Sequence, residues 1–87
     1  MTINGLKKAL KNHNKSEAIT IIDLGCGGGD ILREISIFGK KNNYNFKLIG
    51  IDANPHTVYY ANSLSQKYDN VSFEAIDIFS DQFNNLE

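Results

Sequence analysis

The run Asp23-Leu24-Gly25-Cys26-Gly27-Gly28-Gly29-Asp30 sets four glycines and a thiol between two carboxylates, and further aspartates, Asp52 and Asp77, each close a later apolar run. Glycines in such a turn let the chain leave a strand sharply and let a ligand approach the main chain with no Cβ in the way. Ionised carboxylates offer acceptors only, so they suit a ligand that presents hydroxyl or amino donors. A phosphate-cradling loop would need Gly-Lys followed by Ser or Thr, and Gly28-Gly29-Asp30-Ile31 stands there instead. The dinucleotide pattern G-x-G-x-x-G would place its third glycine at Asp30, where a carboxylate repels a diphosphate from the helix-start amides that should hold it. Cys26 lacks an obvious base, because His13 and His56 belong to other elements, so its expected role is to fit a crowded loop. His56 and the Tyr59-Tyr60 pair read as solvated or packing residues.

Hydrophobic periodicity supplies the elements that position these groups. Ile3, Leu6 and Leu10 fit one face of a helix from Ile3 to about Asn12. Ala18 to Leu24 is short, β-branched and closed by glycines, the pattern of a strand buried on both faces. Ile31, Leu32, Ile35 and Phe38 follow at helical spacing, and Gly39 reads as the stop. A second apolar run, Phe46 to Ile51, ends at Asp52. Asn54-Pro55 then predicts a capped helix to about Lys67, with Val58, Ala61, Leu64 and Tyr68 inward. Val71 to Ile76 reads as a third strand ending at Asp77. Alternation of this kind implies an α/β fold with parallel strands in the order 3-2-1, whose ligand sites lie at the carboxyl ends of the strands. Three successive strands thus deliver aspartates to one edge, and with Asp30 and no lysine or arginine in the adjoining turns they make an acidic mouth. A nucleoside carrying a sulfonium and an ammonium suits that mouth better than a diphosphate does.

On these residues the sequence resembles the class I, Rossmann-like S-adenosylmethionine-dependent methyltransferases. Ile21 to Gly29 looks like their first motif, Leu48 to Asp52 their second, and Phe73 to Asp77 their third, over Ala18 to Phe79. The resemblance implies that Gly25, Cys26 and Gly27, with Gly29 in the same loop, line the methionine portion of the cofactor through the backbone, and that Asp23 helps hold its amino end. It implies further that Asp52 takes both ribose hydroxyls, that Ala53 and Asn54 lie beside the adenine, that Asp77 accepts from the adenine amino group, and that the Ile78 amide meets a ring nitrogen. The same resemblance makes residues 1–87 the N-terminal, cofactor-binding half of a methyltransferase domain, a Rossmann-like half-fold truncated before its fourth strand. A small-molecule methyl acceptor would be met by the missing half. The isolated chain is then expected to be inactive. Two alternatives stand beside this reading: a non-catalytic fragment that folds or associates with a partner chain, and an NAD-type nucleotide-binding domain.

Length and composition agree with one small unit. Eighty-seven residues leave no room for a second core, and a chain this short buries only about 60–65% of its unfolded surface. A net charge of -1 gives no electrostatic footprint for nucleic acid or an anionic membrane, and the lysines at 7, 8, 11 and 15 read as a solvated helix face. No signal-peptide core or membrane-length apolar run occurs, and the single cysteine suggests a reducing, cytoplasmic location. In the 3-2-1 order, the first strand would leave one uncharged edge open, so self-association through it is expected.

Overall fold

The computed structural model describes Leu10 and residues 17–77. The expected N-terminal helix, its lysines and residues 78–87, Ile78 among them, lie outside the described residues, apart from Leu10, which is buried in the core. Three strands, β1 (Ala18–Leu24), β2 (Asn45–Asp52) and β3 (Val71–Ala75), alternate with two helices, α1 (Asp30–Lys41) and α2 (Pro55–Leu64). The strands pair in parallel in the order β1-β2-β3, with Ile21 opposite Leu48 and Gly50 opposite Phe73. This is the expected Rossmann-like half-fold order.

Partners across a parallel ladder point to the same face, and alternate residues to opposite faces. One face therefore presents Ile19 and Ile21, Phe46 and Leu48, and Val71 and Phe73. Leu32 and Ile35 of α1 and Val58 and Ala61 of α2 close on it to form the core. The other face carries Thr20, Ile22 and Leu24, and the last two are more than half exposed. The expectation that β1 is buried on both faces is thus corrected. A β-branched run shows that a strand can be covered on both sides, whereas among the described residues the helices pack on one side only.

Gly39 does not stop α1, which continues to Lys41. The Phe46 ring occupies the place where a Cβ at Gly39 would stand, so glycine serves here for close helix–sheet approach. The helix ends instead at Asn42, whose amide and side-chain nitrogen both donate to the Phe38 carbonyl. Asp30 in the first turn and Lys40 and Lys41 in the last complement the helix dipole. In α2, Asn54 accepts from the His56 amide at 2.9 Å with Pro55 in the first turn, as expected. That helix ends at Leu64 rather than near Lys67, leaving Leu64 exposed. The buried hydroxyl of Ser36 donates to Asn70 Oδ1 at 2.8 Å, and Asn70 Nδ2 donates to the Phe46 carbonyl at 3.1 Å, tying α1 to the turn before β3.

Candidate functional site at the carboxyl edge of the sheet

The three strand ends meet through the backbone of β2. The Ile51 carbonyl accepts from both Gly25 (2.7 Å) and Cys26 (3.2 Å), and the Asp52 carbonyl accepts from Ile76 (3.0 Å). The Asp52 side chain extends the same junction. Its Oδ2 accepts from the Gly27 amide at 3.2 Å, and its Oδ1 accepts from the Asn54 amide at 3.0 Å. Asp52 therefore joins the glycine loop after β1 to the turn after β2, and caps that turn with one of its oxygens. A carboxylate offers about four acceptor positions. With one taken on each oxygen, one remains on each.

Between β1 and α1 the chain passes through the left-handed region at Gly25 (φ 72°), Gly27 (φ 55°) and Gly29 (φ 84°). At Gly25 and Gly27 an added Cβ would meet nothing within 4 Å, so the loop opens to solvent there. At Gly29 the space is closed. A Cβ would strike the Phe73 ring, and the same ring lies over Gly50, where Cys26 Sγ also comes within 2.8 Å of the Cβ position. The loop is pressed onto β2 on this side and open on the other. Gly29 starts α1 with no side-chain cap.

The Cys26 thiol fits the expected packing role. Burial pushes its pKa above the ordinary value of 9.0, and the nearby negative charges of Asp52 and then Asp23 push it further in the same direction. A thiol held in its protonated form is a poor nucleophile. His56, Tyr59 and Tyr60 are all exposed.

Asp23, at the end of β1 opposite Gly50, is half-buried, whereas Ala53, Asn54 and Asp77 are exposed. The structure joins the glycine loop directly to Asp52. Asp77 follows β3 at the same edge of the sheet, and Ile78 lies outside the described residues. The acidic mouth needs one correction, because Arg33 reaches back from α1 to the loop. Its guanidinium donates to the Gly28 carbonyl at 2.6 Å and to the Ser65 hydroxyl at 3.0 Å, and it pairs with Asp30. The i, i+3 spacing of Asp30 and Arg33 was the only signal of this in the sequence. A cavity of about 380 Å³ lies beside the C-terminal part of α2, lined by Asn62, Ser63, Ser65, Gln66, Tyr68 and Val71. Its lining carries no charged side chain, and Asp23, Asp52, Asp77 and the glycine loop take no part in it. Among the described residues there is no group of side chains suited to a metal, and no helix long and apolar enough to cross a membrane.

Comparison with known proteins agrees with this geometry. The family described as a methyltransferase domain matches residues 15–85. Among solved structures, the chain is similar to the citrinin polyketide synthase CMeT domain, at 20% identity and a TM-score of 0.73 over 86% of this chain and 20% of that one. It is similar also to the DszA carbon methyltransferase, at 18% identity and a TM-score of 0.65 over 92% of this chain and 21% of that one. A third similar structure is coclaurine N-methyltransferase bound to N-methylheliamine and SAH, at 20% identity and a TM-score of 0.60 over 90% and 23%. Likeness at these identities is one of fold, and the chain spans about a fifth of the length of these structures. No curated protein matches in sequence.

Proposed function

We propose, from the premise that this chain belongs to the methyltransferase-domain family, that its strand-end edge is the S-adenosylmethionine-binding part of a methyltransferase acting on a small molecule. The observation that carries this reading is the Asp52 carboxylate, oriented by two backbone amides yet keeping one acceptor position on each oxygen beside the open side of Gly25 and Gly27. Two vicinal ribose hydroxyls present two donors to such a pair of acceptors. The amides of Gly25, Cys26 and Gly27 already donate within the protein, so the loop would line the methionine portion by shape and by its carbonyls. Asp23, half-buried near the end of β1, would attract the ammonium group, and Ala53, Asn54 and Asp77, all exposed, would lie beside the adenine. Bound there, the cofactor supplies a sulfonium methyl group to an oxygen, nitrogen or carbon nucleophile, chemistry in which positioning and desolvation carry much of the rate. These residues orient it and contribute no general base. The 87-residue chain by itself is accordingly expected to bind without transferring.

The test is calorimetric titration with S-adenosylhomocysteine. Asp52→Asn, which keeps one uncharged acceptor oxygen and turns the other into a donor, removes charge-assisted bonds of about 1.5–3 kcal/mol each and should weaken binding by roughly 10- to 100-fold. Equal affinity in the variant would remove Asp52 from the site. Tighter binding of NAD than of S-adenosylhomocysteine would replace the reading altogether.

Two finer points belong to the same reading. The cytoplasmic setting rests on Cys26, which has no second cysteine in the sequence to pair with. Self-association rests on β1, which pairs only with β2 among the described residues and exposes Ile22 and Leu24. A second copy docking antiparallel about Ile21 would place Asp23 opposite Ile19. A parallel pairing in register would set Asp23 against its own copy, which like-charge repulsion disfavours. Light scattering on wild type and Ile22→Lys distinguishes a dimer through this edge from a monomer.

A further inference from the structure

We propose that Arg33 is a positioning residue for the cofactor loop, locking the Gly28–Gly29 peptide and tying its orientation to the end of α2; this rests on the S-adenosylmethionine reading above. The Arg33 side chain is only 14% exposed, and it draws on three elements at once. One amino group donates both to the Gly28 carbonyl and to the hydroxyl of Ser65, the residue that ends α2 and is itself buried. The other amino group pairs with Asp30 in the first turn of α1. The planar fork of a guanidinium is suited to such divergent acceptors, and an ammonium is not.

The Gly28 carbonyl and the Gly29 amide belong to one planar peptide group. Arg33 holds its oxygen, and the Cys26 carbonyl accepts from its N–H at 3.1 Å. A peptide between two glycines is the easiest of all to flip, because neither neighbour has a Cβ to oppose the change. Pinning both ends removes that freedom and leaves the loop open only over Gly25 and Gly27. Without Arg33 the loop would populate flipped states. Apparent affinity falls by the fraction of molecules that remain competent.

The experiment compares wild type with Arg33→Met, which keeps the apolar stem and removes every donor, and with Arg33→Lys. Ile35→Val serves as a control that weakens the core without touching the loop. Two quantities are read, the dissociation constant for S-adenosylhomocysteine and the amide exchange rate of Gly29 in the free protein. Arg33→Met should bind about tenfold more weakly or worse and exchange Gly29 faster. Arg33→Lys should recover part of the loss, and Ile35→Val should keep wild-type affinity. Affinity within twofold of wild type in Arg33→Met, while wild type binds, overturns the proposal. Failure of wild type to bind would defeat the cofactor reading instead, and the Gly29 exchange rate would then decide whether Arg33 positions the loop; an unchanged rate overturns that too. Should Arg33→Met fail to fold, Ser65→Ala removes one anchor and retains the charge, with a smaller loss in the same direction expected and none overturning the proposal.

Discussion

The two turns at the carboxyl edge of the sheet solve one problem, how to leave a strand and start a helix, by opposite means. After β2 the answer is local. Asp52 Oδ1 accepts from Asn54, Asn54 Oδ1 accepts from His56, and Pro55 sets the first turn, all within five residues. After β1 no side chain caps the helix, and the loop is held from outside: by the Ile51 carbonyl, by Asp52 across 25 residues, by Arg33 with Ser65, and by the Phe73 ring. A turn that caps itself keeps its shape whatever packs around it, whereas a glycine turn takes its shape from its neighbours. The one carboxylate shared by both, Asp52, couples the rigid turn to the adjustable one.

The sharpest way to break this contrast is to fill the space on which the glycine loop depends. Gly29→Ala combines left-handed strain of about 1–2 kcal/mol with displacement of the Phe73 ring at about 1–3 kcal/mol, so urea unfolding should show a loss of roughly 2–5 kcal/mol. Gly50→Ala meets the same ring without the strain, and adding Phe73→Leu should recover part of its loss. A cost below about 0.5 kcal/mol for Gly29→Ala would mean that the loop is not held by packing.

The self-capped turn predicts a smaller and more contained effect. Asn54→Ala should cost about 1 kcal/mol and leave the amide resonances of Gly28 and Gly29 in place, and Asn54→Asp should restore stability. Movement of those resonances would show that the two turns are coupled more widely than through Asp52.

Smaller again is the dependence on alkaline pH. Since the folded-state pKa of Cys26 lies above its ordinary value of 9.0, the unfolded chain loses this proton first. Its contribution to stability is therefore constant below that value and declines as the pH rises through and above it. Asp52→Asn removes the second cause of the shift and should make this decline shallower and native-state alkylation of Cys26 faster. An alkylation rate independent of the substitution would place the carboxylate's field elsewhere.

The smallest effect is expected away from both turns. Lys40 Nζ lies 2.8 Å from the exposed Asp69 carboxylate and holds its pKa below the ordinary value, by hydrogen bond first and charge second. That contribution is present at neutral pH and lost as the pH falls through the lowered pKa. At such exposure, Asp69→Asn should leave the thermal midpoint at neutral pH unmoved within error.

These contrasts coincide with what could be read in advance. The strands, their parallel order and the Asn54-Pro55 start of α2 follow from signals contained in a few consecutive residues. Asp52 is recognisable in the sequence as an acceptor closing an apolar run. The role of Arg33 is not legible in the sequence, because only its pairing with Asp30 has a local signature, while its reach to Ser65, 32 residues away, has none. Gly39 differs from its expected role for the same reason. A glycine near the end of a helical pattern signals a stop, and only the Phe46 ring arriving from β2 turns it into a packing position.

The sequence by itself determined which segments form strands and helices, where the aspartates fall, and that the first turn must be glycine, since periodicity, capping and backbone freedom are encoded over a few residues. Tertiary structure alone decided that the described helices cover one face of β1, that Asp52 spans two turns, and that Phe73 and Arg33 shape the glycine loop. The physical reason is that glycine has no side chain with which to choose a conformation, so the groups that choose it must come from parts of the chain folded against it.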